Sequence, residues 1–307
     1  MEISAMALAH STRIPVEHRF PLHLRRSITS IRDLYEAGKQ QRWNPDTDIA
    51  WSRFDPAAYD AAALQAARLT WSRRAWVEYA GLAETPAILI RFCLEAGRES
   101  DPKYFLTVRN TEEAWQIESC HRYAGVLGGY VDQPSSVREK TLFNQYRHRH
   151  ALDAEESADA FFVVHSAVED SLELELCRAY LDDARDPVAR QILEKSTQAK
   201  ERHAAFGWLY ATERAARWSA PERAQVSAQV LAYLRDIELA GYHCAWLGDP
   251  ASAEARAAQA TSEAGLGAAS QERERDLLCD YVAAVRARLG ELGVDLPELS
   301  HPALGRL

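Results

Sequence analysis

No apolar run in this chain is long enough to span a membrane. Ala5 to Ala9 is too short for the apolar core of a secretory leader. No glycine-rich nucleotide fingerprint is present, which argues against a built-in flavin or nicotinamide site. No Cys-x-x-Cys pair occurs. The five cysteines (Cys93, Cys120, Cys177, Cys244 and Cys279) are scattered and odd in number, the pattern of reduced thiols in a cytoplasmic protein. Excess positive charge is also missing: the net charge is −9 and the pI about 5.6, so no nucleic-acid partner is expected. Glycine and proline number only 14 and 12 in 307 residues, and no repeat of solenoid length is visible.

What is abundant is Ala, Leu, Glu and Arg, within a hydrophobic content of 47%, which predicts a sizeable, mostly helical core. Residues 1–55 read as an N-terminal extension that packs Trp43, Trp51 and Phe54 on the rest, with one short helix from Ser30 to Gln41. Asp55-Pro56, Asp101-Pro102 and Asp186-Pro187 each read as a helix N-cap followed by a first-turn proline. Ser219 to Glu222 reads as a capping box. Long helices are predicted over about 56–97, 102–128, 154–184 and 187–218, with further helices near 220–247 and 271–291. Residues 251–270 fit either a loose helix or a loop. A long crossover over 131–153 joins two helical hairpins, and residues 293–307 form a tail after a helical domain of 56–292.

Two segments carry chemistry. Glu118-Ser119-Cys120-His121 is a Glu-x-x-His, and Lys200-Glu201-Arg202-His203 is the same frame with lysine in place of glutamate. Positions i and i+3 share a helix face. Glu-x-x-His on each of two helices, with a lone Glu on each of two others, is the ligand set of a di-iron carboxylate bundle. The lone candidates are Glu84, thirty-four residues before Glu118, and Glu169, thirty-four before His203. Thus Glu84, Glu118 and His121 would form one half-site, and Glu169 and His203 what remains of the other. His165 and Glu173 are spare groups on the same face as Glu169, and Glu201 is the ligand candidate if the fourth helix is phased differently. Simpler readings exist for each residue. A buried Glu could pair with Arg73 or Arg91, His203 could be a core histidine, Cys120 could simply pack, and His148-x-His150 could be a solvated loop.

The run Ala199 to Trp208 resembles the Asp-Glu-x-Arg-His-x-x-Phe-Gly run of bacterial ferritin-like di-iron proteins. Ser30 to Trp51 resembles a lead-in found in some of them. The wider superfamily includes arylamine N-oxygenases, the ribonucleotide reductase small subunit and multicomponent monooxygenases. The resemblance covers most of 30–215. It implies an all-α, ferritin-like four-helix bundle with extra C-terminal helices, and metal ligands at Glu84, Glu118, His121, Glu169 and His203.

Lys200 departs from that pattern. Two unit charges about 4 Å apart interact by about 4 kcal/mol at an effective dielectric of about 20, so an ammonium disfavours a second metal ion. The expectation is an oxygen-dependent iron oxidase or oxygenase with one or two irons per chain, or none. Lys200, Glu118 and Glu169 would be catalytic, the substrate a small organic molecule, and electrons would come from an external donor. The arrangement leaves room for a homodimer. The alternatives are a metal-free enzyme using Lys200 and buried carboxylates as acid, base or amine, and a non-catalytic scaffold.

Overall fold

The computed structural model describes Ile14, Glu17 and residues 27–307. The remaining N-terminal residues of the expected extension lie outside the described part. Helix α1 (Thr29–Gln40) matches the short helix expected there. It is tied down by Asp101, whose carboxylate accepts from Ser27 Oγ at 2.5 Å and Ile28 N at 2.7 Å and pairs with Arg32. Asp101 therefore anchors the lead-in rather than capping its own helix. Trp43 meets Trp115 edge-on at 6.0 Å, and Phe54 meets Tyr123 at 5.7 Å, so the aromatics do pack inward.

The first long helix is two: α2 (Ala61–Tyr79) and α3 (Gly81–Leu94). Asp60 caps α2 by accepting from Ala63 N, while Asp55-Pro56 starts only a short 3₁₀ turn. Helix α4 (Ser100–Val126) returns beside them. The crossover carries α5 (Val137–Phe143) and α6 (His148–Leu152). The second hairpin begins with α7 (Ala158–Phe162), continues through a π-helical stretch (Val163–Glu169) into α8 (Asp170–Asp183), and returns as α9 (Pro187–Ala215). Asp186 caps α9 as the sequence predicts, accepting from Val188 N and Ala189 N at 2.9 Å each.

Helix α10 (Ala220–Tyr233) opens with the expected capping box and continues as a π stretch, Leu234–Glu238. A short α11 (Ala245–Gly248) follows. The Ala-rich segment is helical as α12 (Ala253–Ala264) and lies on α2. Helix α13 (Gln271–Glu291) lies on α8, and a small β-hairpin of two two-residue strands, Ser300–His301 and Gly305–Arg306, follows near the end of the chain. The chain is thus all-α in character, with a bundle of two helical hairpins packed through α4 and α9. No described helix is long and apolar enough to cross a membrane.

Gly207 lets the two strokes of the second hairpin meet. A Cβ there would sit 1.5 Å from the Ser166 carbonyl oxygen, so α9 can approach the π stretch only because residue 207 has no side chain.

Candidate metal centre

The bundle interior holds buried polar and charged side chains from several helices. The π stretch inserts an extra residue per turn, and it carries His165, Ser166 and Glu169 inward, all buried. Helix α3 supplies Glu84 and Thr85. Helix α4 supplies Arg109, Glu112, Glu113 and Gln116. Helix α9 supplies Lys200 and His203.

One group gathers around His165. Its Nδ1 lies 3.0 Å from Glu84 Oε2 and 3.4 Å from Glu169 Oε2. One ligand atom from each of Glu84, His165 and Glu169 lies within 4.8 Å of the other two. Burial and Arg109 oppose charge on His165, but the two glutamates outweigh both and raise it to about 9. Burial would raise Glu169, yet Arg147 and His165 hold it down at about 2. Arg147 comes from the crossover, just after Tyr146, which sits at φ 52°, an uncommon conformation for a non-glycine residue. Its guanidinium bridges both carboxylates, with Nη2 2.8 Å from Glu84 and Nη1 3.1 Å from Glu169, and stacks on Tyr233 at 5.0 Å.

Arg109 forms a second centre. It grips Asp170 with two nitrogens, Nε at 3.0 Å and Nη2 at 2.6 Å, and holds Glu113 at 2.6 Å. Burial raises Glu113 to about 7 despite that partner, and its second oxygen is buried without one. Lys200 organises a third. Its Nζ lies 2.8 Å from Glu78 and 2.7 Å from Glu173, and Glu173 also meets His243, which is held in turn by Glu238 at 2.5 Å. Burial works against the ammonium, but Glu173 and Glu78 outweigh it and raise Lys200 above its ordinary value. His243 is raised to about 10 against its burial, by Glu238 and Glu173. His203 stands apart, bonded to Glu112 at 2.8 Å, and burial lowers its pKa.

Of the residues expected from sequence, Glu84 and Glu169 converge, and Lys200 and His203 lie inside the bundle. Lys200, however, pairs with Glu78 and Glu173, not with Glu118 and Glu169. Glu118 and His121 do not converge with them: both are exposed, and His121 packs on Tyr130 at 4.4 Å. Helix α4 is rotated relative to the expected face, and its buried i, i+3 pair is Glu113 and Gln116. Glu201 is on the surface beside Arg178, so it is no substitute ligand. His165, treated as a spare group, is central. The sequence missed Glu78, Arg109, Glu112, Glu113 and Arg147. The phase of Phe105, Cys120, Tyr123 and Ala124, all buried, was the signal that would have found the α4 residues.

No model of a known protein family matches this sequence, and no curated protein matches it. Solved structures do match in fold. One is R2-like ligand-binding oxidase with an aerobically reconstituted metal cofactor after photoconversion, at 16% identity and TM-score 0.55, covering 85% of this chain and 90% of that one. Two single-site variants of R2-like ligand-binding oxidase with anaerobically reconstituted Mn/Fe cofactor match at 16% and 17% identity, each with TM-score 0.57, covering 87% of this chain and 93% of theirs. This chain therefore has the ferritin-like fold.

A two-metal cofactor does not fit the residues present. Lys200 fills the space between Glu78 and Glu173, the residue one turn after Glu113 is Gln116 rather than histidine, and Arg109 fills the space between Glu113 and Asp170. A single ion fits at Glu84, His165 and Glu169 once the Arg147 guanidinium has left the two carboxylates. Nitrogen and oxygen ligands lie about 2.0–2.2 Å from such an ion, so two of them fall within about 4.4 Å of each other, close to the spacing here.

Proposed function

We propose that this chain is a ferritin-like oxidase or oxygenase that holds one iron ion on Glu84, His165 and Glu169. Its substrate would be a small organic molecule of specialised metabolism, and a separate donor would supply electrons. The observation that carries the reading is the buried His165 with two carboxylates converging on it, on the π stretch of a fold shared with metal oxidases. Iron on such a set would supply redox chemistry with dioxygen.

The chain's own groups do the rest. Arg147 neutralises the two carboxylates and must withdraw from them before a cation takes that place. Arg109 fixes Asp170 and Glu113 beside the site, and Thr85 spans Glu113 and His165 at 3.1 Å each, so the ring and the acid are held in one orientation. Glu113, at about 7, is the group suited to give or take a proton near neutrality. Lys200 is a fixed cation rather than an amine nucleophile, because a nucleophile needs its nitrogen unprotonated.

A metal-free acid–base enzyme is the second reading, favoured by Glu113 and by the fact that Arg147 already completes the glutamate pair without metal. Anaerobic loading with ferrous iron, followed by desalting and metal counting, tests the first. One iron per chain is expected, lost in Glu84→Gln, His165→Ala and Glu169→Gln with helicity retained. No retained metal, or retention in those variants, would end that reading and leave the second.

A further inference from the structure

Arg147 has two sides. One holds Glu84 and Glu169. The other faces a cleft of about 240 Å³, bounded by α6, by α7 with the π stretch after it, and by α10 with its own π continuation. Arg147 lines this cleft, and neither glutamate does. Its side chain is 12% exposed, against 4% for Glu84 and 6% for Glu169, so the guanidinium stands between the cleft and the two carboxylates. Phe161, Val164, Tyr233 and Ile237, all buried, make the inner wall apolar. An apolar cavity of about 150 Å³ is enough to take up benzene, so there is room here for a single ring.

The ion site proposed above requires Arg147 to leave Glu84 and Glu169. The open space beside it is the cleft, where the rings of Tyr233 and Tyr242, 5.0 and 5.8 Å from the guanidinium, offer cation–π faces. They do not offer a counter-charge. Among the residues lining the cleft the one carboxylate is Asp236, which is exposed at the rim and paired with Arg235 at 2.6 Å. His150, also at the rim, is held by Glu156 at 2.8 Å. A guanidinium turned against an apolar wall with no anion is a buried charge left uncompensated, which is strongly unfavourable. An anion from solvent removes that penalty, and a carboxylate matches the planar fork with two parallel hydrogen bonds.

We infer that this cleft binds a small monocarboxylic acid with one apolar ring, its carboxylate on Arg147 and its ring against Phe161, Val164 and Ile237, and that the acid and the metal ion tighten each other's binding. Both act through the same guanidinium: the ion releases it from the glutamates, and the acid receives it. The gain is reciprocal by linkage. The coupling rests on the ion site proposed above, whereas the cleft and its preference for an anion do not.

The test uses the full chain with benzoate and benzamide, which share a shape but not a charge. In the first arm manganese binding is titrated calorimetrically with saturating benzoate, with benzamide at the same concentration, and with neither. Benzoate should tighten manganese binding about tenfold, within the usual range of coupling between two ligands, and benzamide should not. In Arg147→Gln the benzoate gain should vanish. The second arm uses no metal. In Glu84→Gln/Glu169→Gln, held in chelator, Arg147 has lost both charged partners, and benzoate should bind about tenfold or more tightly than benzamide. No benzoate gain in the unmodified chain would overturn the inference, because Arg147 would then find its partner within the chain. A gain undiminished in Arg147→Gln would overturn it too, because the carboxylate would then sit on the ion itself. So would equal binding of the two probes to the folded double variant. The first arm decides even if that variant fails to fold. One iron per chain with no benzoate gain leaves the metal reading standing without this one. A benzoate preference in the double variant, with no metal retained by the unmodified chain, keeps the acid site and removes the coupling together with the metal reading.

Discussion

Lys200 is the residue on which the sequence and the structure turn, and its environment defines what replacing it should do. It is buried and joins two carboxylates from different helices, so it is a cross-brace as well as a charge. Removing one partner of a buried ion pair usually costs about 3–5 kcal/mol because the other charge is left uncompensated. Lys200→Met should therefore lower unfolding free energy by about that amount. Part of the loss is offset because Glu78, raised by burial, readily takes a proton. Lys200→Glu should be less stable still in chelator, with a further carboxylate set between Glu78 and Glu173 and four buried acids left to His243. Denaturant titrations of the three proteins give the order, and a Lys200→Glu chain as stable as the unmodified one would show that the brace does not matter. His243 supplies the pH dependence. Its pKa is raised from 6.5 to about 10, so its contribution is complete below about 6.5 and is lost as pH rises through 10. The melting temperature should fall across that window in the unmodified protein and fall less steeply in His243→Asn. Superimposed profiles would remove His243 from the account.

Two elements set how the interior is assembled: the face that α4 turns inward, and the close meeting of α9 with the π stretch. If the rotation of α4 described above is right, Glu118→Ala and His121→Ala should change neither metal retention nor stability beyond about 0.5 kcal/mol, as expected for exposed positions away from special features. Loss of metal in either would restore the first reading of that helix. Gly207→Ala should be far worse, because its Cβ would collide with backbone at Ser166 and push α9 off the helix that carries His165 and Glu169. Overpacking of this kind typically costs about 1–3 kcal/mol, and with backbone as the obstacle the upper end is expected by chemical denaturation.

The hairpins, the caps at Asp186 and Ser219 and the crossover were legible because capping and helical period are local signals. The phase of α4 was not. A Glu-x-x-His motif marks an i, i+3 pair but not which way it faces, and Glu113 with Gln116 offers the same spacing on another face of the helix. The π stretch was invisible for a related reason: an extra residue per turn shifts a face without changing composition. Arg147 could not be found from pattern at all, since it reaches the glutamates from a crossover twenty-two residues before Glu169.

For the molecule as a whole, the interior of the bundle is filled with internal cations, and that predicts how metal and stability are linked. Arg109, Arg147 and Lys200 each stand among carboxylates that could otherwise face metal. The chain should therefore fold without metal, unlike domains whose metal site supplies their folding energy. An ion entering at Glu84, His165 and Glu169 must displace Arg147, so its net stabilisation is the binding energy less the ion pairs it breaks. A ligand at a hundred times its dissociation constant stabilises by about 2.7 kcal/mol, and the displaced guanidinium subtracts from the affinity that sets that constant. Arg147→Gln separates the two contributions. Without metal it should melt lower than the unmodified protein, because Glu84 and Glu169 lose their shared partner. With ferrous iron, or manganese as a redox-quiet probe, it should bind more tightly and show the larger upward shift in melting temperature. Both proteins should saturate at one ion per chain, since Arg109 and Lys200 still occupy the rest of the interior. Saturation at two would mean that those cations leave as well and that the bundle is a two-metal centre after all. An Arg147→Gln chain that binds metal no better than the unmodified one would place the ion somewhere other than these three residues.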